Sequence, residues 1–469
     1  MSEYLFVAGL ETHVELQTKS KIFCSCSASF GAEPNTHCCP VCTGEPGSLP
    51  VLNREVLAYA IKAGLATNCT ISRLTRMDRK NYVYPDLPKA YQISQFEAPI
   101  CVGGYIELDS GKRIRINHIH MEEDAGKLVH EGGYTYVDYN RGGVPLIEIV
   151  SEPDIASVEE AAEYVEKLRL IMRHIGVSDC KMQEGSMRCD VNISVHRAGE
   201  PLGTRAEIKN MNSPSFMEKA LRYEYKRQCE ALDNGEKIVQ ETRRYNEGSQ
   251  TTESMRNKED AQDYRYFPEP DILTVHVSDE FIKAVADSMP KLPDELRREF
   301  LSYGISEVEA KRLVEYKRIA DFYAYAASLT DAKIAANIIL GDIFRSMQTE
   351  EEKERFELKF TPDDFVALVK LRAENKINAG IQKRVLQEML LKGGSPSKYL
   401  SAEDTASVSG EDVEKLCREA VAANERAVRD YLSGKEQALK AVLGYVMKAT
   451  RGKANAAEVE QKIKELICR

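Results

Sequence analysis

The apolar residues of this chain change period once, near Pro290, and that change limits what the chain can fold into. Before it, short alternating runs are broken by Gly, Pro and Asn; after it, the apolar spacing is helical. Only two stretches of the first part read as helices, 53–67 and 157–175, the second with Val158, Ala161, Ala162, Val165, Leu168 and Ile171 on one face. Strand runs with few helices predict an α+β domain built on an antiparallel sheet, not a doubly wound parallel one. The second part is expected to be all-α: Ser306 and Glu309 have the spacing of a capping box, and Thr361-Pro362 reads as a helix start. Gly393-Gly394-Ser395-Pro396-Ser397 reads as a linker. Beyond it, Val413, Leu416, Cys417, Ala420, Val421, Asn424 and Val428 trace one helical face, and Leu439, Val442, Leu443, Val446 and Met447 another. A chain of 469 residues is too long for one core, and the expected division is 1–292, 293–394 and 395–469, the last a small all-α tail.

The strand runs carry ionisable faces. Residues 4–16 place Phe6, Ala8, Leu10, Thr12 and Val14 on one side and Glu11, His13 and Glu15 on the other. Residues 188–195 repeat the arrangement, with Cys189, Val191, Ile193 and Val195 inward and Arg188, Asp190, Asn192 and Ser194 opposite. Residues 205–209 add Glu207 and Lys209 opposite Ala206 and Ile208. The stretch 120–127 contributes His120 and the consecutive carboxylates Glu122, Glu123 and Asp124, hard ligands of the kind that bind Mg²⁺ beside phosphates. Solvated strands and loops are polar too. These four differ in using Glu, Asp, His and Asn with few of the Lys, Ser and Thr of a wet face, which makes them candidates for lining one concavity.

Residues 78–89 form a loop of cations and rigid turns in which Arg79 and Lys80 are candidate phosphate contacts. Neither a P-loop nor a GxGxxG pattern occurs, so an ATP site here relies on carboxylate-held Mg²⁺ and on Lys and Arg. No GxSxG elbow or Gly/Ser-rich amidase segment supplies a nucleophile.

Cys24 and Cys26, then Cys39 and Cys42, have the CxC…CxxC spacing of a closed tetrahedral zinc site, structural because it leaves no open position. Cys38 and His37 adjoin Cys39 and compete with it for one ligand position. The chain opens Met1-Ser2-Glu3-Tyr4, without the regions of a signal peptide, so its twelve cysteines read as reduced thiols or metal ligands. No run of roughly 18 apolar residues occurs, and a cytoplasmic protein without a membrane span is expected. The net charge of −10 argues against a globally basic nucleic-acid binder, while Lys448, Arg451 and Lys453 form a local basic cluster of the kind that contacts RNA.

The runs 9–16, 78–82, 90–95, 120–127, 145–154 and 263–271 resemble the B-subunit family of the aspartyl/glutamyl-tRNA amidotransferases, and the likeness extends through 444–455 of the tail. The resemblance implies an N-terminal cradle similar to the glutamine synthetase fold, a helical domain, and a tail domain that contacts tRNA. It implies a carbon–nitrogen ligase that uses ATP to phosphorylate the side-chain carboxylate of Glu on tRNA(Gln) or Asp on tRNA(Asn). Ammonia from glutamine, released on an amidase partner and channelled across, then displaces the phosphate. The implied assembly is a heterotrimer of this chain with the amidase, its A-subunit, and with a small C-subunit. Residue by residue, the family's magnesium positions fall on Glu11, His13, Glu123 and Glu207, with Asp190 close by. Lys80 matches the contact to the transferred phosphate, and Arg79 and Asn192 join it as candidate ATP contacts. The zinc expectation rests on this sequence's own cysteine spacing.

Overall fold

The alternation in the first residues becomes β1 (Tyr4–Glu15), the central strand of a sheet whose order is set by antiparallel pairing on both of its edges. The computed structural model describes residues 4–209, 211–257, 264–405, 410–450 and 456–467. It divides into two compact units, Met1–Pro293 and Asp294–Arg469. In chain order the first unit continues with α1 (Arg54–Ala66), β2 (Asp78–Asn81), β3 (Tyr91–Ser94), β4 (Arg113–Glu123), β5 (Pro145–Ser151) and α2 (Val158–His174). Then come β6 (Met187–Arg197), β7 (Ala206–Lys209), α3 (Pro214–Asp233), β8 (Glu241–Asn246) and β9 (Thr251–Asn257).

The ten-stranded sheet runs β9-β8-β7-β6-β1-β5-β4, continues through Cys101–Val102 to Thr70–Ile71, and carries Tyr105–Glu107 on β4. Its pairs are antiparallel with one exception, β7 with β8. The exception has a cause: α3 lies between them in sequence, and a crossover helix returns the chain in the same direction. The molecule is thus α+β.

The sequence placed α1 and α2 to within their caps. The Asn53 side chain accepts from the Glu55 N–H and that of Ser157 from the Glu160 N–H. It did not place α3, whose inward face mixes Met217, Ala220 and Leu221 with the fully buried Glu224 and Gln228 and so breaks the apolar stripe. The three helices close one face of the sheet: Ile61, Leu168 and Leu221 pack with Leu10, Ile147, Ile119 and Val191 in a continuous core. Each such side chain, wholly removed from water, contributes about 1.5–3 kcal/mol. With one face dry, the alternating residues are all delivered to the other.

The second unit is helical throughout its described residues. Capping boxes start the helices Glu307–Val314 at Ser306 and Pro362–Ala373 at Thr361, as expected. The stretch read as a linker is a fastened turn: Gly393 and Gly394 take φ of 74° and 90°, Pro396 is buried, and the Tyr399 hydroxyl donates to the Gly393 carbonyl at 2.6 Å. Cys417, Ala420, Leu439, Val442 and Val446 meet Val459 and Ile463 of a further helix in a small core of their own. Lys448 lies in the last turn of the helix Leu439–Ala449, while Arg451 and Lys453 lie outside the described residues, as does Asp263. No described helix is long and apolar enough to cross a membrane.

Candidate active site and metal centre

Strand register assembles the site. His13 on β1 stands opposite Glu148 on β5 and Arg188 on β6, and Glu148 stands opposite His120 on β4, one row across four strands. Glu122, two residues along β4, shares that face. His13 Nδ1 lies 3.0 Å from Glu122 Oε1, and His120 Nε2 lies 3.1 Å from Glu148 and 3.6 Å from Glu122. His13, Glu122 and Glu148 offer ligand atoms that all fall within 4.8 Å of one another.

A second group adjoins the first. Glu11 stands opposite Asp190, and Asn192 stands opposite Glu207. Asn192 Nδ2 donates to Glu11 at 2.9 Å, Lys209 Nζ reaches Asp190 at 2.6 Å and Glu207 at 3.1 Å, and the Thr242 hydroxyl donates to Glu207 at 2.8 Å. Glu11, His13, Asp190, Asn192 and Glu207 therefore share one surface, as the strand faces imply.

Charge on this surface is shaped by burial and neighbours. Burial alone would raise Glu148, but the imidazoles of His120 and His13 bring it down to about 2. Burial likewise opposes the Glu122 charge, and hydrogen bonds from His120 and His13 overcome it and drive the carboxyl well below its usual range. His120 rises to about 9 against burial because Glu148 and Glu122 flank it. Glu11 moves up, through burial first and then the charges of Glu148 and Glu207. The centre of the face thus favours positive charge.

Lys80 belongs to this field. Burial opposes its charge, but Glu122 and, further down, Glu148 raise its ammonium well above the usual value, and it sits 4.9 Å from the centre of the Tyr264 ring. Its neighbour Arg79 points the other way along β2 and is committed elsewhere. It makes a two-pronged ion pair with the buried Glu269 at 2.7 and 2.9 Å, reaches Asp271 at 3.3 Å, and stacks 4.2 Å from the centre of Tyr91.

The three carboxylates of 122–124 do not form one patch, because β4 continues through Glu123 and sends alternate side chains to opposite faces. Glu122 joins the histidines. Glu123 turns away, where it pairs with Lys89 and accepts from the Ile93 N–H at 2.9 Å. Asp124 is held by Arg188 at 2.7 Å and Arg141 at 3.4 Å. It also pushes Glu15 up to about 8, second to burial.

The cysteines form a separate centre. The sulfurs of Cys24, Cys26, Cys39 and Cys42 lie within 4.8 Å of one another, with Cys39 and Cys42 at 3.9 Å, close to the roughly 3.8 Å that two ligands about 2.3 Å from a tetrahedral zinc would show. Cys38 is outside the group, its sulfur 3.9 Å from Asn140 Oδ1. Cys42, at the end of the short helix Pro40–Thr43, is brought down to about 4, chiefly by a hydrogen bond from Cys24 and with help from the Cys39 N–H and Lys21. The cluster suits a structural metal.

A family model described as the GatB/GatE catalytic domain matches residues 6–283, and one described as the GatB domain matches residues 321–467. Among curated proteins, the B-subunit of the aspartyl/glutamyl-tRNA(Asn/Gln) amidotransferase of Thermoanaerobacter pseudethanolicus is 50% identical over 471 residues, with 99% of both chains covered. The chain belongs to the amidotransferase B-subunit family. The B-subunits of Caldanaerobacter subterraneus subsp. tengcongensis and Clostridium kluyveri are 49% identical over 471 residues and 48% over 473, again with 99% of both chains covered.

Of the imidazole–carboxylate group, the sequence reading left out Glu148, and within the acidic run it gave the magnesium position to Glu123 in place of Glu122. Both were signalled. In 145–151 the alternation puts Glu148 with Leu146 and Val150 on the face opposite Ile147 and Ile149, a lone carboxylate in an apolar strand. The same alternation through Ile119 and Met121 assigns Glu123, not Glu122, to the core side.

Proposed function

We propose that this chain is the transamidating subunit of a glutamine-dependent tRNA amidotransferase. It works with an amidase A-subunit that supplies ammonia, a small C-subunit, and a misacylated tRNA. The observation that carries the reading is the group His13, Glu122 and Glu148 facing Lys80 on a sheet that is dry on its other side.

A carboxylate is a poor acyl donor, and phosphorylation makes it a good one. In the first step the side-chain carboxylate of Glu on tRNA(Gln), or Asp on tRNA(Asn), attacks the γ-phosphorus of ATP, and ADP leaves. In the second, ammonia attacks the carbonyl carbon, phosphate leaves with the C–O bond, and a proton is lost to give the amide. Two carboxylates and an imidazole at this separation suit Mg²⁺, with Glu11 and Glu207 as neighbouring carboxylates. Bound there, magnesium would neutralise phosphoryl oxygens. This set replaces Glu123 with Glu122 and Glu148, since Glu123 faces Lys89.

Lys80 supplies a fixed positive charge for the transferred phosphoryl group. Asn192 orients Glu11, and Lys209 holds Asp190 and Glu207 together, keeping the carboxylates from spreading apart. Arg79 supports the β2 strand that presents Lys80 and does not touch ATP. Zinc on Cys24, Cys26, Cys39 and Cys42 is structural. A cradle similar to the glutamine synthetase fold is part of the same reading, as is a tail domain over 395–469 that contacts tRNA near Lys448.

The test is to trap the intermediate. With ATP and Glu-tRNA(Gln) but no glutamine, hydroxylamine converts an acyl phosphate to a γ-glutamyl hydroxamate on the tRNA. Its ATP-dependent appearance supports the proposal, and its absence with a complex that still amidates from glutamine refutes it.

A further inference from the structure

Lys21 is wholly buried beside the cysteine cluster, and among the described residues no carboxylate pairs with it. A buried ammonium without a counter-charge is costly, so its surroundings must supply one. Its Nζ donates to the Cys42 sulfur at 3.6 Å and to the Tyr139 carbonyl at 3.1 Å. Cys42 also accepts from the Cys39 N–H at 3.2 Å, so two N–H donors converge on one sulfur. The Lys21 main chain serves the other half of the cluster. Its N–H donates to the Cys26 carbonyl at 2.9 Å, and Ser20 and Ser27, flanking that segment, pair as a short bridge. One residue thus touches both halves of the CxC…CxxC set. The turn 139–144 lies alongside: a Cβ at Gly143 would touch Lys21 Cδ at 3.4 Å and Cys42 Cβ at 3.6 Å.

We propose that Lys21 is the positioning residue of the thiol-bound metal, offsetting the charge of the centre at Cys42 and tying it to the turn 139–144. The inference rests on the reading of the four cysteines as a zinc site and adds the residue, outside the ligands, on which that site depends. Four thiolates carry more charge than one Zn²⁺ returns, so the loaded centre is anionic and must be balanced where it is buried. An ammonium 3.6 Å from one sulfur offsets that charge without taking a ligand position. The same ammonium holds the Tyr139 carbonyl, and the turn that begins there is fastened on its far side to the end of β4. The Gly143 N–H donates to the Asp124 carbonyl and the Asp124 N–H to the Val144 carbonyl, both at 2.9 Å. The Arg141 guanidinium donates to the carbonyls of Ala125 and Gly126 at 3.0 and 2.9 Å. Cys42, Lys21 and the turn therefore form one chain of contacts, and the lysine is the link between metal and turn.

Lys21→Met keeps the length of the side chain and removes its donor and charge, and Lys21→Gln is a second, neutral variant. The full chain in its complex is stripped of metal and titrated with zinc against a chromophoric chelator. It is then loaded with cobalt, whose sulfur-to-metal charge-transfer band reports on the thiolates, and hydrogen exchange follows the amides of 139–144 with and without zinc. The expected result is zinc affinity about 10–100-fold weaker in each variant, with the cobalt band moved to lower energy. Zinc slows exchange of 139–144 in wild type and not in the variants. Unchanged zinc affinity with an unmoved cobalt band overturns the inference, even where a variant melts at lower temperature. A lysine that only packs and holds Tyr139 would lower stability equally with and without metal. Exchange slowed by zinc equally in wild type and variants also overturns it. Should neither variant assemble, wild type decides: chelation that leaves 139–144 as protected as before is the contrary result. A wild-type complex that binds no zinc overturns the zinc reading and this inference together. One that binds zinc, with variants unaffected, overturns this inference alone.

Discussion

The cysteine cluster and the ionisable sheet face are both groups of ligand-type side chains, and they are built in opposite ways. The cysteines come from one segment, 24–42, and all offer the same soft donor. The sheet face joins His13 to Glu122 across 109 residues and mixes carboxylates with imidazoles and an ammonium, so that Glu122, Glu148, His120 and Lys80 each have an opposite charge nearby. A local set of thiols can gather around a metal as that segment folds. The sheet site exists only when the register of β1, β4 and β5 is right, because a slip of one residue turns every ligand to the other face. The first arrangement suits structure and the second suits chemistry.

The largest expected effects separate the two faces of β4. Glu148→Gln and Glu122→Gln lower ATP-dependent amidation by about 10²–10³-fold while the thermal midpoint stays near that of wild type. Glu123→Gln does the reverse: it strands the Lys89 ammonium in a buried site and costs about 3–5 kcal/mol, visible as a lowered melting temperature. Equal loss of activity and unchanged stability in all three would remove the distinction.

Neighbours on β2 sharpen the comparison at the next level. Lys80→Ala removes the charge offered to phosphate and lowers amidation about 10²-fold, with stability retained. Arg79→Ala leaves Glu269 buried without its cation, so denaturant unfolding shows a loss of about 3–5 kcal/mol.

On the other side of the comparison, Cys42→Ser loses about one equivalent of zinc and several degrees of thermal stability but keeps amidation. Metal analysis of the purified variant checks it, and zinc retained in full would assign the metal elsewhere. The smallest effect is a control away from both centres. Ser157→Ala removes the cap of α2 and costs about 1 kcal/mol with no change in activity.

Much of the fold was legible because period and caps are local signals. The break near Pro290, the helices that begin after Asn53 and Ser157, and the polar faces of β1, β6 and β7 were all readable in the chain. The helix α3 was not, because the buried Glu224 on its inner side is satisfied by Arg243 and Thr252 from the strands beside it as well as by Arg227, and Gln228 donates to Glu224 and the Ile193 carbonyl. The strand partners are ones the spacing of the helix cannot reveal. The site was half legible. Glu11, His13, Asp190, Asn192 and Glu207 share one strand surface, but which of Glu122 and Glu123 joins them depends on extending the strand pattern through an acidic run that looks like a loop. Glu148 was signalled as the one carboxylate of an apolar strand, but the pairing that sets it opposite His13 is not local. Which of Cys38 and Cys39 completes the thiol group depends on the turn into Pro40–Thr43, a geometry set by the fold around it.

The central claim is that the carboxylate is phosphorylated on the His13–Glu122–Glu148 face. Phosphate release from ATP by the complex, with and without Glu-tRNA(Gln), for wild type and Glu148→Gln, tests it most directly. Stimulation by the charged tRNA in wild type that disappears in the variant is the predicted result. Stimulation that survives in Glu148→Gln, or is absent from wild type, would contradict it and leave this face without the chemistry assigned to it.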